Sequence, residues 1–219
     1  MKYKSKEEAI KDHVDNYRSD GVAKKKGHIN ERDYLRFKFV IDLVPRNSIV
    51  LDVGCNTGAL ALLLMNEKNC LVRGIDVVPE LVEKAKKNGV FAQVGEAEKL
   101  PFKNNNFDVV ICCEVLEHLF NPEDAVIEAK RVLKKDGIYI ITIPHYEAHK
   151  DKPLGDYHQQ NIKERYINEV FYKHFGEDNY SVGGIPFTEK YCKSITKTEK
   201  EANLLLKKPY WLGAVAIKK

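Results

Sequence analysis

The sequence predicts an α/β protein built on a doubly wound, mostly parallel sheet, and three observations predict it. An apolar run from Ser48 to Val53 carries an acid near its end and runs into a glycine loop, Gly54-Cys55-Asn56-Thr57-Gly58; a helix-like stretch, Ala59 to Met65, follows at once. Twenty-two residues after Gly54, a second apolar run closes on another acid in Gly74-Ile75-Asp76. Apolar runs and amphipathic stretches then alternate as far as Ile143. Strands alternating with helices imply parallel pairing with right-handed crossovers.

Taken in order, residues 5–18 are polar and permit a helix, which Ser19-Asp20-Gly21 and then Gly27 interrupt. Glu31 to Leu43 places Tyr34, Leu35, Phe39 and Leu43 near helical spacing, and Pro45 ends that helix. The core then reads strand 48–53, helix 57–67, strand 71–76, helix 79–88, short strand 90–94, turn 103–106, strand 107–112, helix 122–134 and strand 137–143. Pro79 and Pro122 suit first helical turns, where a missing N–H costs nothing. Residues 145–161 are rich in His, Asp, Gln and Lys and read as a loop or lid. Ile162 to Phe175 is amphipathic, hence a helix, and Tyr180 to Phe187 and Tyr210 to Ile217 read as strands. The organisation expected is a helical cap over 1–47, a ligand-binding core over 48–145, and a lid with final strands over 146–219 that complete the same domain.

A chain of 219 residues suffices for one good core. No apolar run approaches the roughly 20 residues that span a membrane. The charged start, Met1 to Glu8, lacks the apolar centre of a signal peptide, so a cytoplasmic location is expected. Five cysteines (Cys55, Cys70, Cys112, Cys113 and Cys192) form no C-x-x-C pair and read as free thiols in a reducing compartment. The net charge of +4 is uneven: residues 1–48 carry +4, residues 49–187 carry −5 and residues 188–219 carry +5. Basic ends flanking a site favour an anionic small-molecule acceptor, with nucleic acid as the less favoured partner; Lys24-Lys25-Lys26 is too short for a nucleic-acid patch.

A strand, a glycine turn, a helix and a second strand tipped by a carboxylate form a nucleoside-binding unit. The glycines admit a ligand where a Cβ would collide. Asp76 is placed to accept from two ribose hydroxyls. The loop lacks the G-x-G-x-x-G spacing of dinucleotide sites, which opposes a nicotinamide dehydrogenase, and Asp52 repels a pyrophosphate but suits a cationic ligand. At this point the chain resembles the class I S-adenosylmethionine-dependent methyltransferases over roughly residues 34–145. The match runs through Leu51-Asp52-Val53-Gly54-Cys55-Asn56-Thr57-Gly58, Gly74-Ile75-Asp76, Gly95-Glu96-Ala97-Glu98-Lys99-Leu100-Pro101-Phe102, Phe107-Asp108-Val109-Val110, Glu114-Val115-Leu116-Glu117-His118 and Leu133-Lys134-Lys135-Asp136-Gly137.

The resemblance implies a Rossmann-like, seven-stranded sheet closed by a C-terminal antiparallel strand pair. It implies that Asp52, Gly54, Cys55, Asn56 and Gly58 meet the methionyl end of S-adenosylmethionine, that Asp76 and Val77 meet ribose, and that Glu96 and Ala97 recognise adenine. Glu96 stands where the family usually has Asp, and Asn56 replaces a common glycine, which Asn tolerates because it visits positive φ. Cys113 and Glu114 line the same pocket, and Arg36 reaches the cofactor carboxylate. In a helix, Glu114, Glu117 and His118 share one face, which in metal-dependent relatives holds a divalent ion; His145, His149 or His158 would supply a fourth ligand. Glu114 and Glu117 are equally explained as acids at a helix N-terminus. His118 and His145 are the candidate general bases, and Tyr146 and Tyr157 are placed to stack on a substrate. The function expected is O-methylation of a small molecule by a monomer or homodimer. The alternatives are metal-assisted methylation of an RNA ribose 2′-oxygen and a cofactor-binding module without catalysis.

Overall fold

The computed structural model describes residues 5–19, 31–145, 162–185 and 211–219. Its elements are α1 (Lys6–Ser19), α2 (Glu31–Leu43), β1 (Ile49–Val53), α3 (Ala59–Lys68), β2 (Leu71–Asp76), α4 (Pro79–Lys87), β3 (Phe91–Val94), β4 (Phe107–Cys113), α5 (Pro122–Val132), β5 (Leu133–Pro144), α6 (Glu164–Phe175), β6 (Tyr180–Ile185) and β7 (Trp211–Ile217). Single 3₁₀ turns cover Leu116–His118 and Glu177–Asn179. Pro79 and Pro122 both open their helices. The lid expected over 145–161 lies outside the described residues except for His145, and so does His149, His158, Tyr146 and Tyr157 with it.

The seven strands form one sheet in the order β3-β2-β1-β4-β5-β7-β6. β1 to β5 pair in parallel, and β7 runs antiparallel between β5 and β6. The expected mostly parallel sheet with its antiparallel final pair is therefore what forms. β1 pairs with both β2 and β4, so the sheet winds outward in two directions from that point. The carboxyl ends of strands flanking such a switch are where open α/β sheets bind ligands.

Both faces of the sheet are covered, which explains why its strands read as unbroken apolar runs. Leu51, Val53, Val110, Cys112, Tyr139 and Ile141 point to the face packed by α5 and α6. Val50, Val109, Ile111 and Ile140 point to the face packed by α2, α3 and α4. On the first face Tyr139 stacks on Phe171 with ring centroids 5.8 Å apart. On the second, α2 lies close because Gly213 has no side chain: a Cβ there would stand 2.8 Å from the Phe39 ring. That close approach carries Arg36, on the same helix, toward the carboxyl ends of the strands.

β5 differs from its predicted span. It begins at Leu133, directly after α5, because Leu133 pairs with Phe107 before the register shifts to Val109 opposite Ile138. The intervening residues bulge, with Asp136 at φ 60° donating its N–H to Lys218. Arg131 then fixes the connection between β3 and β4 from below: its guanidinium donates to the carbonyls of Leu100 and Phe102 at 2.9 and 2.7 Å, and Glu128 accepts from the Leu100 N–H. No helix among the described residues is long and apolar enough to cross a membrane.

Candidate active site

The turn after β1 is built by glycine and by Asp76. Gly54 sits at φ +74°, and its N–H and that of Cys55 donate to the Ile75 carbonyl at 2.8 and 2.9 Å. Asn56 adopts φ 50°, the left-handed conformation expected of it, and donates its N–H to Asp76 Oδ2 at 2.9 Å. The N–H of Val78 donates to Asp76 Oδ1 at 2.9 Å. Asp76 thus locks the loop in place. Val77 lies half-buried beside it, and Gly58, at φ +84°, packs so closely that a Cβ would stand 2.7 Å from Val90.

Beyond β3, the Gly95 N–H donates to the Asp76 carbonyl, and Ala97 is buried. Glu96 pairs with Lys6 of α1 at 2.8 Å, and Glu98 pairs with the same ammonium at 3.1 Å. Burial works against the charged Lys6, but the two carboxylates outweigh it and hold its pKa above the usual lysine value. This contact across ninety residues was not legible beforehand: nothing in local spacing ties residue 6 to residue 96.

The tip of β4 is the third wall. Cys113 is half-buried there, its thiol pushed up to about 12 by burial. Glu114 turns to φ 55°, and its N–H donates to the Thr142 carbonyl of β5 at 2.8 Å. Its carboxylate accepts from the Thr142 hydroxyl at 3.2 Å and faces Arg36 at 3.3 Å. Arg36 also pairs with Asp33 at 3.4 Å and lies against the Phe37 and Trp211 rings. Trp211 stands opposite Pro144 in the β5–β7 register, and His145 follows Pro144, so α2, β4, β5 and β7 converge on one place.

The shared helical face expected for Glu114, Glu117 and His118 does not form. The left-handed Glu114 breaks the chain direction, and only the 3₁₀ turn Leu116–His118 follows. Glu114 goes to Arg36 and Thr142, while His118 Nε2 lies 3.9 Å from Glu117 Oε1. Among the described residues, no group of three or more His, Cys, Asp or Glu is arranged to hold a metal ion.

Six buried side-chain atoms among the described residues have no hydrogen-bond partner. Five of them belong to this place: Arg36 Nε, Asp52 Oδ2, both Glu117 carboxylate oxygens and His145 Nδ1. A buried polar atom without a partner costs about 1–3 kcal/mol, so such a concentration marks groups arranged to meet a ligand. Asp52 and Glu117 are each only 3% exposed. Burial, reinforced by Asp76, pushes Asp52 up to about 7 against the pull of Arg36. Burial and then Glu117 push Glu114 up to about 8, and burial pushes Glu117 to about 8. Among the described residues the site is short of positive charge. An unpartnered carboxylate under a glycine turn, beside a second carboxylate that holds that turn, fits a nucleoside that carries a cation.

The fold is thus a doubly wound α/β sheet with a glycine turn and buried acids at the carboxyl ends of its central strands. Residues 51–141 match the methyltransferase domain family. A protein of Methanocaldococcus jannaschii, MJ1123, is 31% identical over 152 residues, covering 68% of this chain and 72% of that protein. The methyltransferase YcgJ of Bacillus subtilis is 34% identical over 116 residues, 49% of this chain; the chain spans 44% of the length of that relative. Among solved structures, a methyltransferase from Thermotoga maritima described as a possible histamine N-methyltransferase superposes with a TM-score of 0.68 at 22% identity, over 97% of this chain and 99% of that one. The chain belongs to the class I S-adenosylmethionine-dependent methyltransferases.

Proposed function

We propose that this chain transfers the methyl group of S-adenosylmethionine to a small-molecule acceptor bound between Glu117, His118 and His145. The observation that carries the reading is the set of unpartnered buried atoms at the carboxyl ends of β1, β4 and β5. When bound, the cofactor supplies an electrophilic methyl group on a sulfonium. The residues of the chain do the rest. Asp52 meets the positive end of the cofactor, Asp76 and Val77 hold the ribose, and Glu96 and Ala97 take the adenine, with Lys6 steadying Glu96. Cys55, Asn56, Gly58 and Cys113 shape the cavity wall. Arg36, with its Nε unpartnered, reaches the cofactor carboxylate. His145 or His118 receives the proton that a hydroxyl or amine nucleophile must lose, and alignment of nucleophile, carbon and sulfur supplies most of the rate.

In this reading residues 48–145 hold most of the cofactor and supply Glu117, His118 and His145 to the acceptor, whereas 1–47 and 146–219 provide the remaining surroundings that select it. Methylation of an RNA ribose needs a cationic path for phosphates. Among the described residues, Asp33, Asp52, Asp76, Glu114 and Glu117 surround the site with Arg36 as the arginine among them, which favours a small molecule instead.

The first test is calorimetric titration of S-adenosylmethionine. Hydrogen bonds to a charged group are worth about 1.5–3 kcal/mol, so Asp76→Ala is expected to weaken binding about ten- to a hundredfold. Asp76→Asn fills the same space and separates loss of charge from loop collapse. Equal affinity in wild type and both variants would remove the ribose assignment. Transfer of labelled methyl to any member of an acceptor panel then distinguishes an enzyme from a binding module.

A further inference from the structure

We propose that the acceptor is an amine that binds as its ammonium ion against Glu117 and gives up its proton to that carboxylate. The inference rests on the methyltransferase reading and names the substrate class for it. It starts from which acid is left over. Asp33 and Glu114 share the Arg36 guanidinium, at 3.4 and 3.3 Å. Asp76 holds the glycine loop through two N–H donors. Asp52 lies beneath the turn after β1, where the cofactor brings positive charge. Glu117 remains, 3% exposed, its carboxylate oxygens without a hydrogen-bond partner in any other residue and with the Arg36 guanidinium acting on it only from a distance.

A hydroxyl acceptor gives Glu117 one neutral hydrogen bond and nothing to balance the charge of its ionised form. An anionic acceptor adds repulsion. An ammonium supplies the missing charge and N–H donors for both oxygens, and charge-assisted bonds of this kind are the strong ones. The anionic acceptor that the basic chain ends suggest does not match this wall of the site.

The same carboxylate solves the chemical problem of an ammonium, which has no lone pair to offer. For an ammonium acceptor it is Glu117, rather than His118 or His145, that accepts one N–H proton and becomes neutral. The freed lone pair forms the new C–N bond as the methyl–sulfur bond breaks, and sulfur keeps that electron pair. The product is an N-methylammonium, and the sulfur is left as a neutral thioether. His118 Nε2, 3.9 Å from Glu117 Oε1 and partly exposed, stands on the route by which the carboxyl returns its proton to water. Burial raises the proton affinity of Glu117, while its own backbone N–H and the Arg36 guanidinium on α2 lower it; Glu114, just past β4, and His118 are the other titratable groups beside it. Burial dominates and keeps the carboxyl in the range where a base works near neutral pH.

The test uses matched pairs, benzylamine against benzyl alcohol and 1,4-diaminobutane against 1,4-butanediol, with methyl-labelled S-adenosylmethionine. Transfer to an amine and not to its alcohol is expected. Glu117→Gln, which mimics the protonated acid and so preserves packing, is expected to lower kcat/KM for that amine at least about thirtyfold while changing cofactor affinity less than about twofold. Glu117→Asp is expected to recover part of the loss. A second readout needs no turnover: amine binding to protein saturated with S-adenosylhomocysteine, measured by calorimetry, is expected to be lost in Glu117→Gln. Preference for the alcohols, transfer to neither amine, or wild-type amine binding and turnover in Glu117→Gln each overturns the proposal while leaving cofactor binding, measured separately, intact. Failure of the cofactor itself to bind overturns the methyltransferase reading beneath it.

Discussion

Gly54→Val is expected to abolish detectable binding of S-adenosylmethionine and to lower the thermal midpoint by several degrees. Gly54 holds φ +74°, a region that costs an L-residue about 1–2 kcal/mol and a β-branched one more. Space adds a larger penalty: a Cβ at this position would stand 2.3 Å from Val115 Cγ2. Val115 lies between Glu114 and the turn that carries Glu117, so relieving the clash displaces either the cofactor loop or the acceptor wall. For a domain of this size each kcal/mol lost shifts the midpoint by about 2–4 °C. Gly89→Ala is the control, since Gly89 sits at φ +93° with nothing within 4 Å of an added Cβ. It bears the backbone cost alone, and cofactor affinity is expected to stay within about twofold of wild type. Scanning calorimetry and cofactor titration on the two variants check this. Wild-type affinity in Gly54→Val would mean that the turn is not the cradle.

Local and periodic signals carried much of the fold. β2 occupies its predicted residues, 71–76, and α2 its predicted span, 31–43, because both follow from burial: a strand covered on two faces is an unbroken apolar run, and a helix on one face repeats every three to four residues. The glycine loop and the acids at the strand tips were legible for the same reason, since each is dictated by the residue's own backbone freedom or charge. The conformation around Glu114 was not. A glutamate at positive φ is held there by Thr142, twenty-eight residues away, and no pattern within the segment announces that partner. Lys6 against Glu96 and Arg36 against Trp211 are likewise products of the sheet order, which brings α1 and β7 to the mouth of the site. Of the five cysteines expected to be free thiols, Cys192 lies outside the described residues; Cys55, Cys70, Cys112 and Cys113 are unpaired, and burial raises the pKa of each, which makes them packing groups rather than nucleophiles.

The charge deficit of the site predicts an unusual pH dependence. Asp52, Glu114 and Glu117 have ordinary values of 3.8, 4.5 and 4.5 and stand at about 7, 8 and 8 in the folded protein. Between these limits the folded state holds protons that the unfolded state has released. Stability therefore falls as pH rises from about 4.5 to about 8, the reverse of the usual carboxylate effect. The lowered acids, Glu7, Glu83, Asp108, Glu123 and Glu128, contribute stability that is complete above about pH 4.5 and is lost only below it. Lys6, raised, contributes stability that is lost only above its unfolded value of 10.5. Neither enters the window. The midpoint of the ligand-free protein is thus expected to drop from pH 5.5 to pH 8. Cofactor binding has the opposite sign. A cation favours charged Asp52, so affinity falls about tenfold per unit below pH 7, where a proton must first leave, and levels off above it. The rise in midpoint produced by saturating S-adenosylmethionine should grow with pH while the ligand-free midpoint declines. Asp52→Asn, which cannot ionise, should remove the pH dependence of affinity and flatten part of the stability slope. Thermal scans at pH 5.5, 6.5, 7.5 and 8.5, with and without cofactor, check both. A ligand-free midpoint that climbs across this range would mean that the three buried acids are already charged and paired, and that the positive charge the site is built to receive is already present.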